Sequence, residues 1–149
     1  MYLAEAAKDH QDAVVLPQTW ADAYFYESSA LTDLGRVEES RSALQKAVAL
    51  SPWNSLFIAE LAYTYEVQHD NQKALELFQH AEAATEFSPP ELKNAEIAHA
   101  LRGEGYALTE LHRFDEAEAR YRAALKLDPN DQKSKNELEY IRQLRAKSG

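Results

Sequence analysis

The sequence predicts an all-α chain built of antiparallel helix pairs. Three observations carry this. Alanine, leucine, glutamate and lysine dominate, only four of 149 residues are glycine, and no stretch alternates as a strand does. Small and apolar residues recur at a spacing of 34. One segment, Phe114 to Asn130, is an amphipathic helix with its own stop. Ala117, Tyr121, Ala124, Leu125 and Leu127 share a face there, and Pro129 bars helical geometry at itself and at Asp128 before it.

The elements follow in order. Tyr2 to Leu16 reads as a first helix with Leu3, Ala6, Ala7, His10, Ala13 and Val14 on one side, ended by Pro17. Thr19 and Asp22 have capping-box spacing, which predicts a helix from about Trp20 to Asp33. Gly35 suits the left-handed turn that follows, and a second helix runs from about Val37 to Leu50. Asn54 caps a third, Ser55 to about Gln68. His69-Asp70-Asn71 turns the chain into a fourth, Gln72 to Thr85. Ser88-Pro89-Pro90-Glu91 then starts a longer helix, Pro89 to about Leu111. After the Phe114 helix, Asp131 opens a last one to about Lys147, with Leu138, Ile141 and Leu144 on one face.

The repeat is explicit. Tyr24 and Ile58, Ser28 and Ala62, Leu31 and Tyr65, Ser40 and Ala74, and Ala47 and Ala81 are each 34 apart. Ile58 and Leu101, Ala62 and Gly105, Ala74 and Ala117, and Ala81 and Ala124 are each 43 apart, so nine extra residues fall between Ala81 and Ile97. Ser28, Ala62 and Gly105 are expected to face Ser40, Ala74 and Ala117 where paired helices cross. This pattern, with closing prolines Pro52 and Pro129 and Phe78 and Tyr121 at the aromatic place, resembles the tetratricopeptide repeat. The resemblance implies a right-handed superhelix. Its parts would be an N-terminal helix (1–17), repeats over 20–53, 54–87 and 88–130, and a capping helix over 131–149. Glu27 and Glu104 stand where the family has an apolar residue, so looser packing is expected there.

Composition narrows the function. A net charge of −9 repels phosphate backbones, so nucleic acid is not the expected partner. No apolar run reaches the ~18 residues of a membrane span. Met1 to Lys8 shows no signal-peptide pattern, so a soluble protein is expected, with the cytoplasm favoured and export left open. There is no cysteine, hence no disulfide and no thiolate chemistry. The five histidines lack His-Glu-x-x-His spacing, and no Gly-x-Ser-x-Gly elbow occurs. Gly103-Glu104-Gly105 lies mid-helix and reads as close packing rather than a phosphate loop. Glu66-His69 and Glu96-His99 match the Glu-x-x-His spacing of di-metal bundles, but the repeat register scatters them. No catalytic residue, cofactor or metal is therefore assigned. The aromatic positions Tyr24, Phe78 and Tyr121 fall at core spacing, and the basic C-terminal helix, with Lys133 and Glu137, reads as a solvated cap.

Stacked pairs of this family build a concave groove that binds peptides or helices of partner proteins. The resemblance thus implies a non-catalytic protein-interaction scaffold. Alternatives are a secretion-type chaperone of an exported protein, since small acidic three-repeat chaperones resemble this plan, and a metal enzyme through the Glu-x-x-His pairs. In the shared register Phe25, Ser29, Ala59, Tyr63, Glu66, Arg102, Tyr106 and Thr109 point into the groove. Acidic residues outnumber basic ones along that side, so the expected partner has apolar anchors and some basic charge. Some relatives grip acidic chaperone tails with a basic and amide clamp; the aligned residues here are Phe25, Ser29, Glu60, His99 and Gly103, and binding of such tails is not expected.

Overall fold

The computed structural model describes residues 18–148, so the expected helix over 1–17 lies outside the described residues. Seven α-helices form an all-α right-handed superhelix. They are α1 (Gln18–Asp33), α2 (Val37–Leu50), α3 (Ser55–Glu66), α4 (Asn71–Ala84), α5 (Pro90–Glu110), α6 (Phe114–Leu127) and α7 (Gln132–Ser148). A 3₁₀ turn, Thr85–Phe87, follows α4. The helices pair as α1 with α2, α3 with α4 and α5 with α6; α2–α3 and α4–α5 contacts stack the pairs, and α7 closes the end on α6 and α5.

The turns inside the pairs repeat in geometry as well as in sequence. Gly35, His69 and His112 all adopt positive φ, at 72°, 61° and 57°. In each case the next residue's N–H reaches back five residues: Arg36 to the Leu31 carbonyl at 2.9 Å, Asp70 to Tyr65 at 3.0 Å and Arg113 to Leu108 at 2.8 Å. This is the Schellman closure, which satisfies carbonyls left open at a helix end. Glycine adopts it without cost, whereas each histidine gives up about 1 kcal/mol of backbone preference.

Two expected caps differ from the sequence reading. The helix already includes Gln18, so Thr19 lies inside α1 rather than at its cap. Before α5 the Ser88 hydroxyl bonds the Glu96 carboxylate instead of a backbone N–H, and Pro89 occupies the cap position with no side-chain bond. Proline at the first helical position is enough, because that N–H has no intrahelical acceptor to lose. α5 is the long helix, with 21 residues against 16 in α1 and 12 in α3. The Asn54 cap holds, and Asp70 caps α4 as well: their carboxamide and carboxylate accept from Phe57 N at 3.1 Å and Lys73 N at 3.2 Å.

The core runs through the small residues. Ala62, Ala74, Ala117 and Ser40 are fully buried, and Ser28 nearly so. Ile58, Phe78, Leu108, Tyr121 and Ile141 fill the space between them. Each large apolar side chain buried this way contributes about 1.5–3 kcal/mol. Leu138 packs against the same cluster, so α7 does cover the last pair. Leu127 stays exposed at the end of α6.

Glu104 departs from expectation. It is completely buried, not in a loosened seam. Arg120 Nε of α6 lies 3.3 Å from its Oε2 and Arg120 also approaches Glu82 of α4 at 3.7 Å. Burial, then the neighbouring Glu82, hold the Glu104 carboxyl well above the ordinary range, and the Arg120 charge opposes them.

Candidate functional site

A groove follows α3 and α5 and is closed at one end by α7. It consists of three hollows that share walls. The first, about 350 Å³, lies between Glu60, Tyr63 and Glu66 of α3, Arg102 and Tyr106 of α5, and Glu137 of α7. His99 joins it to a second hollow between Leu56, Ala59, Leu92 and Ala95. Leu56 and Leu92 join that to a third, where Phe25, Trp53 and Phe87 meet. Phe25 stacks on Phe57 with centroids 5.1 Å apart, and Trp53 lies 5.1 Å from Phe87. One end of the groove is therefore apolar and aromatic, and the other is acidic.

Two glycines build the floor of the acidic end. A Cβ on Gly103 would overlap the Phe78 ring. A Cβ on Gly105 would stand 2.7 Å from the Tyr121 ring. Both rings come from the second helix of a pair, and both reach the first hollow only because α5 has no side chain in their way. Gly105 thus lies under Tyr121 rather than simply facing Ala117. Tyr121 is 1% exposed, yet its hydroxyl has no hydrogen-bond partner. The Thr109 hydroxyl near it is committed to the Gly105 carbonyl at 2.8 Å.

Three carboxyls, Glu60, Glu66 and Glu137, outnumber Arg102 and Lys133 at this end. Burial, then the Glu110 and Glu137 charges, push Glu66 up to about 7. Burial followed by Glu110 raises Glu137, and burial raises Glu60. Tyr106 is raised by burial and then by Glu110, Glu66 and Glu137. Loss of water, then the Arg102 and Lys133 charges, hold His99 below the ordinary imidazole value. Arg102 itself is committed to Asp131 at 3.2 Å. Asp131 also caps α7, accepting from Ser134 Oγ at 2.6 Å and Lys133 N at 3.1 Å.

The structure gathers Tyr63, Glu66, Arg102 and Tyr106 in the first hollow, Ala59 in the second and Phe25 in the third. Ser29 is exposed on α1 and lines none of them. Thr109 is a correction: it is 3% exposed and bonded within its own helix, so it offers no groove surface. Its register position is right, but the Tyr121 ring occupies that side of α5. Sequence reasoning missed Tyr121 as a groove group, because core spacing hides a ring that passes under the first hollow. It also missed Lys133 and Glu137, which it placed on a solvated cap. At the clamp positions, Glu60, His99 and Gly103 share the first hollow, and Phe78 occupies the space that a Gly103 side chain would need. Among the described residues no three His, Asp or Glu side chains converge as a metal site. No described helix is long and apolar enough to cross a membrane.

Profiles of the tetratricopeptide repeat match residues 21–52 and 98–131. The chain carries tetratricopeptide repeats in these two segments. No curated protein matches the sequence. Among solved structures, this tetratricopeptide-repeat chain resembles the first such domain of human RPAP3, with TM-score 0.77 and 22% identity over 88% of this chain and 96% of that one. The first repeat domain of Spaghetti (RPAP3), bound to an HSP90 peptide, is similar at TM-score 0.77 and 21% identity, covering 90% and 99%. The Sgt2 repeat domain of Aspergillus fumigatus follows at TM-score 0.75 and 17% identity, covering 90% and 84%.

Proposed function

We propose that this protein is a non-catalytic interaction scaffold that holds a peptide or helix of a partner protein in the groove of α3, α5 and α7. The observation that carries this reading is the continuity of the three hollows, which offers one apolar and one acidic end to a single ligand. Tyr63 is 44% exposed beside Tyr106 in the first hollow. Tyrosine gives broad apolar area and a hydroxyl at small entropy cost, which suits a binding wall. The units 20–53, 54–87 and 88–130, with 131–149 as a cap, are the proposed repeats. The net charge of −9 favours a protein ligand with basic charge over nucleic acid.

A similar domain is bound to an HSP90 peptide, but the acidic tails of such chaperones do not suit this groove. Glu60 stands at a clamp position, and Glu66 and Glu137 share the hollow with it. The apolar end, with Trp53, Phe87 and Leu92 about half exposed, also favours a chaperone that shields an apolar segment of an exported protein. Co-expression distinguishes this second reading, because it requires that the partner become soluble only in the complex.

The test is selection of random dodecapeptides on the folded protein and on a Tyr63→Ala, Tyr106→Ala double variant. Peptides retained by the wild type and lost from the double variant, with helical content and melting unchanged, support the groove. Peptides retained equally by both place the binding surface elsewhere.

A further inference from the structure

The acidic end of the groove combines two independent features. Glu66 of α3 and Glu137 of α7 line one hollow, with Glu110 near enough to raise both. No side-chain ion pair or hydrogen bond engages any of the three carboxylates among the described residues. The second feature is Tyr121. Its hydroxyl is buried, unpartnered, and feels the Glu137 and Glu66 charges. Buried hydroxyls ordinarily find a partner, so an orphan one beside uncompensated carboxylates marks a place where a donor is missing. Tyrosine oxygen accepts as well as donates, and a carboxylate only accepts. The group that satisfies all of them at once carries positive charge and several N–H donors.

The helix ends point the same way. α3 ends at Glu66 and α5 at Glu110, so the negative ends of both helix dipoles lie at this end. Such ends carry partial negative charge and attract cations. Of the basic groups in the hollow, Arg102 is tied to Asp131, and His99 is biased towards the neutral form. Lys133 stands one turn before Glu137 without an ion pair among the described residues, and is the internal competitor.

We propose that the hollow between Glu66, Glu137 and the Tyr121 hydroxyl is a subsite for the lysine or arginine side chain of a partner segment whose apolar residues lie on the Leu56–Leu92 end. This rests on the scaffold reading and specifies the chemistry of its ligand. Leu56 and Glu66 are ten residues apart on α3. That is ~15 Å along the helix, which an extended segment covers in about five residues.

The experiment continues the dodecapeptide selection on the whole chain. A retained peptide is synthesised with its basic residue as lysine, norleucine or glutamate, and affinities are read by fluorescence anisotropy. On the wild type, norleucine is expected to cost about tenfold and glutamate more, because charge-assisted hydrogen bonds are lost. On a Glu66→Gln, Glu137→Gln double variant the lysine preference should collapse, and Lys133→Ala should strengthen it. Tyr121→Phe should weaken only the lysine peptide. Groove-bound peptides without lysine or arginine, or a lysine preference that survives Glu66→Gln, Glu137→Gln, overturn the subsite and leave the scaffold reading standing. If no peptide depends on Tyr63 and Tyr106, both fail.

Discussion

Glu104 and Glu66 are both glutamates that burial holds well above the ordinary carboxyl range, yet their surroundings differ. Glu104 sits in the seam between α4, α5 and α6 and has Arg120 of its own chain at 3.3 Å. Glu66 opens on the groove beside carboxylates, tyrosines, Arg102 and Lys133, with no basic group paired to it among the described residues. A buried charge with an internal partner belongs to the fold, since removing the partner leaves it stranded. A charge of the same kind with no internal partner lowers stability and is explained by a ligand that supplies one. On the proposed reading, the chain separates structural from ligand-binding carboxyls by where their counter-charge comes from.

The strongest way to break this contrast is to disturb the seam that separates the two clusters. Gly105→Leu drives a side chain into the Tyr121 ring and should cost about 3 kcal/mol by overpacking, read from urea unfolding. An unchanged midpoint would mean that the ring can move aside freely. Next, Arg120→Ala should cost about 1–2 kcal/mol at pH 8, less than a fully buried pair because Arg120 is 40% exposed. The loss should shrink as pH falls through about 8, where Glu104 takes up a proton and no longer needs the cation.

Tyr121→Phe is expected to act in the opposite direction. Removing the orphan hydroxyl should raise stability by about 1 kcal/mol, while lowering affinity for a basic ligand. Equal losses in both would make the hydroxyl structural. The smallest effect belongs to Glu66→Gln. The folded pKa of Glu66 is raised from 4.5 to about 7, so its favourable contribution is complete below 4.5 and lost as pH rises through 7. The glutamine variant should melt above the wild type beyond pH 7, with a flatter pH dependence between those values. Parallel melting curves across that window would contradict the placement of Glu66 among carboxylates.

The fold was legible because its signals are local. Pro52, Pro129 and Gly35 end or turn helices by backbone geometry alone, and the 34-residue spacing of Ser28, Ala62, Ser40 and Ala74 marks the crossings. The proposed walls of the groove, Tyr63, Glu66, Arg102 and Tyr106, follow from the same register and line the first hollow. Its floor and far wall did not. Tyr121 reads as core on any periodic scale, and only the side-chain-free positions Gly103 and Gly105 reveal that rings pass through α5. Glu137 lies on α7, outside the repeat, so no register predicted where it would face. Glu104 and Thr109 were misjudged for one reason: a helix position says which side a residue faces, not whether a neighbouring ring or a guanidinium is already there.

The central claim is that the acidic end of the groove receives a cationic side chain. Nuclear magnetic resonance of the protein with a selected lysine peptide tests it most directly. The account expects intermolecular Overhauser contacts from the lysine ε-methylene to the Tyr106 and Tyr121 rings, together with shifts at Glu66 and Glu137 side chains. Contacts of that methylene with the Trp53, Phe87 and Leu92 end instead, with Glu66 and Glu137 unmoved, would contradict it.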